Sequence, residues 1–167
     1  EIDYQPAAPS AGEAAQGYDQ RKDFEFIELL NTSSATVDLT GVAFTAGIRF
    51  HFDTQSALHH LLPGQRLVVV KNREAFSFRY PGVDPALIAG EFSRRLSDQG
   101  DEIALRGADG ADIARFTFDN QAPWPRPAAG GGHSLVLLRP ETRPNAADPS
   151  NWGPSLAGPT PGDEDRR

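Results

Sequence analysis

Apolar residues occupy both parities of the run Asp23-Phe24-Glu25-Phe26-Ile27-Glu28-Leu29-Leu30-Asn31, with two carboxylates set among them. A half-solvated strand alternates apolar and polar residues, so this run predicts a central strand covered on both faces. Shorter runs of strand length follow at 36–39, 42–45, 49–52, 66–70, 102–106, 112–118 and 134–138. They are separated by Pro63-Gly64, Pro81-Gly82, Asp98-Gln99-Gly100-Asp101 and Asp109-Gly110. Each break has a backbone reason, φ being fixed at proline and positive φ open to glycine. Asp109-Gly110 between two alternating runs predicts a hairpin that joins Ile103-Ala104-Leu105 to Ile113-Ala114-Arg115-Phe116.

Residues 1–5 read as a short first strand and residues 6–22, rich in Ala, Gly and Gln, as a polar loop. Phenylalanines recur two apart at Phe50 and Phe52, Phe76 and Phe78, and Phe116 and Phe118, which puts each pair on one face of a strand. Helical spacing is weak. Short turns are predicted at 73–76 and 84–88, the second opened by an aspartate cap with proline at the first helical position. The pattern predicts an all-β fold, an immunoglobulin-like β-sandwich of two packed, mostly antiparallel sheets. Residues 1–139 form the domain, with its main body at 23–139. Residues 140–167 lose apolar periodicity and gain prolines, so they read as an extended tail that docks on the domain through Trp152.

At 167 residues the chain is long enough to bury a core without a disulfide or a metal. The net charge of −7 is spread along the chain, which disfavours nucleic acid or an anionic membrane as the main partner. No apolar run approaches the roughly 20 residues that cross a bilayer, and no signal-peptide pattern opens the chain. Methionine is absent even at the start, so the chain reads as a mature or excised piece of a longer protein.

Several segments carry a resemblance. Glu1-Ile2-Asp3-Tyr4-Gln5-Pro6, Glu25-Phe26-Ile27-Glu28-Leu29-Leu30-Asn31, Val37-Asp38-Leu39-Thr40-Gly41, Leu62-Pro63-Gly64-Gln65, the stretch 96–105 and Gly132-His133-Ser134-Leu135 together resemble the lamin tail domain in its bacterial form. Asp148-Pro149-Ser150-Asn151-Trp152 and Gly158-Pro159-Thr160-Pro161-Gly162 resemble the segment that trails it. The resemblance implies an immunoglobulin-like interaction module, not a catalyst. In bacteria it implies attachment to larger secreted or envelope proteins, often beside hydrolase, nuclease or kinase modules. Heptads are absent, which excludes a filament-forming lamin. The chain departs from the family where Val42 follows Gly41 in place of a common tryptophan.

Candidate chemistry is sparse. Glu25 and Glu28 face opposite sides of a strand and are expected to pair with an arginine such as Arg66 or Arg115, not to act as acid and base. His51, His59, His60 and His133 lack a cysteine to complete a zinc set, and His59 and His60 would diverge on a strand. Asp98, Asp101, Asp109 and Asp112 are the calcium candidates, because they lie in or beside turns where oxygens can converge. Gly130-Gly131-Gly132-His133-Ser134 precedes a strand instead of a helix, so it reads as a flexible entry and not as a phosphate loop or nucleophile turn. Trp124 either caps the sandwich or stands in a binding groove; Trp152 is the other contact candidate.

The reading is a non-catalytic structural or interaction module of a larger exported or envelope-associated bacterial protein, whose partner is a protein or cell-envelope component. The alternative is an accessory domain of an enzyme that binds a ligand, a carbohydrate or calcium. A nucleic-acid role needs a basic face at Arg94-Arg95 or at Arg139 and Arg143.

Overall fold

The computed structural model describes residues 1–164. Its strands are β1 (Ile2–Asp3), β2 (Phe26–Leu30), β3 (Val37–Asp38), β4 (Ala43–Ala46), β5 (Phe50–His51), β6 (His60–Leu61), β7 (Arg66–Val70), β8 (Ile88–Glu91), β9 (Glu102–Arg106), β10 (Asp112–Thr117), β11 (Leu135–Leu137) and β12 (Trp152–Pro154). Two short α-helices join them, α1 (Ala11–Ala15) and α2 (Arg73–Arg79). Six strands form one sheet in the order β12-β11-β1-β2-β7-β8, four form a second in the order β10-β9-β4-β5, and β3 and β6 pair apart. Every pairing is antiparallel except β7 with β8, which the helix-bearing crossover through α2 allows.

Strands β2 and β7 are covered on both faces, as the opening run predicts. Ile27, Leu67 and Val69 point into the core between the sheets, while Phe26, Val68 and Val70 point outward and are roofed by Phe76 of α2 and by Ile88. Phe26 and Phe76 meet edge to face with centroids 5.6 Å apart. Phe76 and Phe78 therefore do not share a strand face. They lie on α2, where residues two apart diverge, so Phe76 is buried and Phe78 is 48% exposed. The local reason for the helix is the Asn72 cap, whose side chain accepts the Ala75 N–H at 3.0 Å. Val42, at the family's tryptophan position, is buried in the main core.

The loop at 6–22 is held by its own charges. Ser10 and Glu13 make a capping box at the start of α1, and the Glu13 carboxylate takes Arg79 Nε at 2.7 Å. The Arg79 guanidinium lies 3.3 Å from the centroid of the Phe24 ring. So α1, α2 and the 3-10 turn Arg21–Phe24 form one layer over the outer face of the six-stranded sheet.

Past residue 139 the chain does not leave the domain. Strand β12 pairs with β11 in the register Leu137↔Trp152, and the indole of Trp152 enters the core. Composition hides this strand because it is short, lies at the sheet edge and ends in Pro154, which an edge tolerates. The chain then crosses to the outer face, where the Thr160 and Gly162 N–H groups donate to the Glu1 and Glu28 carboxylates at 3.1 and 2.5 Å. The segment thus contacts both faces of one sheet.

Candidate functional site

Inner residues of β9 and β10, among them Leu105 and Phe116, face Leu29 of β2, Leu137 of β11 and Trp152 of β12. At one end the two sheets stand apart around an open cavity of about 400 Å³. Its walls are mainly apolar, and the β3–β6 pair contributes Val37 and Leu61, with Leu39 just past β3. Asn31, Ser33 and the Glu28–Arg66 ion pair line its polar side. The volume lies within the range of small-molecule and side-chain pockets.

The mouth is marked by Ile113. Asp112 pairs with Arg106 and Ala114 with Leu105, so Ile113 is an extra residue on the β10 side, a bulge that bends the edge strand. Ile113 is 58% exposed there, and Val37 stands half-exposed nearby on β3. Below the bulge, Arg115 pairs with both Asp112 and Glu102 on the outward face of the sheet.

Carboxylates buried around the six-stranded sheet have their own electrostatics. Glu28 accepts from Arg66 Nε at 3.0 Å, yet burial pushes its carboxyl up to about 7 against the pull of the Gly162 N–H and of Arg66. Glu25 forms no ion pair with an arginine among the described residues. Its carboxyl accepts the Leu96 N–H at 2.9 Å, and burial, with the Asp98 charge, raises it to about 8. Asp3 on β1 is fully buried with no hydrogen-bond partner among the described residues, and burial holds its carboxyl well above the usual range. Of the arginines expected to pair with the two glutamates, Arg66 meets Glu28, while Arg115 stays on the solvent side of the other sheet.

The calcium candidates are not brought together. Asp101 accepts the Ser97 and Glu102 N–H groups, Asp109 accepts the Ala111 N–H, and Asp112 is held by Arg106 and Arg115. Asp101 lies at one end of the β9–β10 ladder and Asp109 and Asp112 at the other, a strand length of about 17 Å away. Turn aspartates here serve the backbone. Among the described residues no group of three or more histidines, aspartates and glutamates is placed to hold a metal ion. The rings of His59 and His60 do not diverge; they meet edge to face, with centroids 4.6 Å apart. Ser134 Oγ donates to Glu1, while His133 Nδ1 lies against the Ser155 carbonyl, so the two neighbours face different partners.

Both tryptophans are in the core, 8% exposed at Trp124 and 7% at Trp152, with centroids 6.0 Å apart. Trp124 also packs edge-on to Phe118, which makes it a cap of the core. Trp152 is both anchor and cleft wall. A family model of the lamin tail domain matches residues 1–120, from β1 through the whole of β10. The chain belongs to the lamin tail domain family. No curated protein matches it. The family is an immunoglobulin-like, non-catalytic domain, in accord with the mostly antiparallel sheets. In this lamin tail domain the cleft joins the matched region to β11 and β12, which lie beyond it.

Sequence reasoning misses the cleft because its walls come from strands far apart in the chain. One signal is available. Ile113 and Ala114 are adjacent apolar residues in an otherwise alternating run, which is what a bulge at an edge strand produces.

Proposed function

We propose that this lamin tail domain is a protein-interaction module of a larger, exported or envelope-associated bacterial protein, and that it docks its partner at the cleft between the sheets. The observation that carries this reading is the apolar cavity of about 400 Å³ with Ile113 exposed at its mouth. An open apolar surface of this kind is what partner recognition uses, with the aromatic and aliphatic groups supplying most of the contact energy. The acidic balance of the chain directs it toward protein or neutral surface partners rather than nucleic acid.

The test immobilises the whole chain, wild type and Ile113→Asp, and exposes both to solubilised envelope and secreted proteins of a bacterium that carries the parent gene. Retention of a discrete polypeptide by the wild type, lost in Ile113→Asp, is expected. Equal retention by the two would place the contact elsewhere and sink the reading. Fractionation of the parent protein tests the compartment: recovery in the cytosol alone would rule out the envelope assignment.

A further inference from the structure

Arg66, Arg79, Arg106 and Arg115 are each neutralised by a carboxylate, as an acidic chain readily allows. Arg49, Arg94 and Arg95 form no ion pair among the described residues, and all three are exposed. The fold gathers them at one corner. Arg49, just ahead of β5, exchanges both backbone hydrogen bonds with Ser93 at 3.0 Å. A pair of that kind sets the Cα atoms about 5.5 Å apart, so Arg49 stands beside the residue that precedes Arg94. Residues 93–95 are held between two buried anchors, Phe92 and Leu96, and the Leu96 N–H is pinned by Glu25 at 2.9 Å. Burial keeps the Glu25 carboxyl up at about 8, so at neutral pH the pin adds no negative charge behind the arginines. Arg94 takes φ +69, a left-handed conformation that few non-glycine residues enter and that the two anchors impose. The Arg49 guanidinium is steadied by the Thr45 carbonyl.

We propose that Arg49, Arg94 and Arg95 form a docking site for a short carboxylate-rich segment of a partner protein. Guanidinium forks take carboxylates two hydrogen bonds at a time, and a loop already fixed at both ends loses little freedom on binding. The surroundings decide between a short acidic segment and a long polyanion. Lys71 Nζ lies 5.9 Å from the centroid of the Phe92 ring, and beside Lys71 opens a groove whose wall carries Asp23, Glu74 and Glu91 together with Arg73. Those carboxylates repel a continuous strand of phosphates that would have to run past the arginines, whereas a segment with a few carboxylates ends before it reaches them. Glu91 and Asp98 bracket the arginine loop in sequence and confine the anion further. Arg139 and Arg143 are also exposed, unpaired among the described residues and at positive φ, but they flank a single 3-10 turn and no second element brings a cation to them by backbone pairing.

None of the three arginines lines the cleft, so this site does not rest on the cleft as a docking surface. A fluorescein-labelled hexaglutamate peptide is titrated into the whole chain and anisotropy is followed at about 0.01 M salt, where charges act over roughly 30 Å. Two double variants that each remove two positive charges are compared, Arg94→Gly with Arg95→Ala, and Arg139→Gly with Arg143→Gly. Glycine suits the left-handed backbone at Arg94, Arg139 and Arg143, so both proteins keep their fold. Saturable binding is expected, weakened at least about tenfold by the first pair and less than about twofold by the second. Arg49→Ala should weaken it as well. No binding to the wild type overturns the site, and equal losses in the two double variants reduce it to the general field of the protein. Tighter binding of single-stranded oligothymidylate than of hexaglutamate, lost with Arg94 and Arg95, would assign the arginines to nucleic acid and overturn the carboxylate partner. Retention of envelope proteins through Ile113 is a separate measurement, and its failure leaves all of these results standing.

Discussion

The indole of Trp152 lies against the ring of Phe116 with centroids 5.3 Å apart. The contact joins the edge strand of one sheet to the edge strand of the other, β12 to β10, and so closes the sandwich on the side beside the cleft. The same indole donates Nε1–H to the Ala146 carbonyl at 2.8 Å, which fixes the turn that leads into β12.

Trp152→Ala should therefore act as a core truncation and not as a tail substitution. A loss of about 3–5 kcal/mol in urea unfolding is expected. An unchanged midpoint would mean that residues past 139 contribute nothing to the fold. Trp124→Ala should cost a similar amount, whereas a tryptophan that served only to bind would leave the midpoint in place.

Acid and base should act on this domain in an unusual direction. Glu25 and Glu28 carry folded-state values of about 8 and about 7 against an ordinary 4.5, so the native state holds their protons more tightly than the unfolded chain. Their contribution is complete below 4.5 and is lost as pH rises through about 7 and about 8. Asp3 works in the same sense. The urea midpoint is expected to fall between about pH 5 and about pH 9. Glu25→Gln, which keeps an acceptor for the Leu96 N–H without a charge, should flatten the alkaline limb. A profile that rises with pH over this window would refute the assignment.

Glu13 opposes them at the acid end. Its hydrogen bonds from Arg79 hold its carboxyl down to about 2, so its contribution is present above 4.5 and is lost as pH falls through about 2. Glu13→Ala also strands the Arg79 guanidinium, whose side chain is 13% exposed, and should cost about 3 kcal/mol. Limited proteolysis is the sharper readout: cleavage within the 6–22 loop should accelerate far more than cleavage elsewhere. Uniform acceleration would mean that the pair does not anchor that loop.

Two glycines separate backbone conformation from crowding. Gly110 has φ +84 in the β9–β10 turn, with open space where a methyl group would stand, so Gly110→Ala should cost about 1 kcal/mol. Gly100 has φ +105, and a Cβ there would stand 2.4 Å from the Phe118 carbonyl oxygen, so Gly100→Ala should cost more than about 2 kcal/mol. Equal thermal shifts for the two variants would show that the approach to Phe118 relaxes freely.

Much of the fold is written locally. The doubly apolar run that becomes β2, the Asp109-Gly110 hairpin between β9 and β10, and the aspartate-proline cap before Ile88 are all readable, because alternation and turn chemistry act over a few residues. The same local signals misplace Phe78, since a spacing of two looks alike on a strand and in a short capped helix. The candidate site is less legible. Ile113 carries a trace of it, but the carboxylates at 98–112 look like a cation cluster only because the sequence sets side by side what the ladder holds apart.

By itself, then, the sequence determined the class of fold, the faces of its strands and the family to which it belongs. Only the tertiary structure decided that Glu25 rests on the Leu96 N–H, that Trp152 brings the proline-rich segment into the six-stranded sheet, and that Leu29, Leu105 and Leu137 surround one cleft. The physical reason is range: a period of two tells each side chain which way to point, whereas its neighbour across the core is set by sheet order and register between strands distant in the chain.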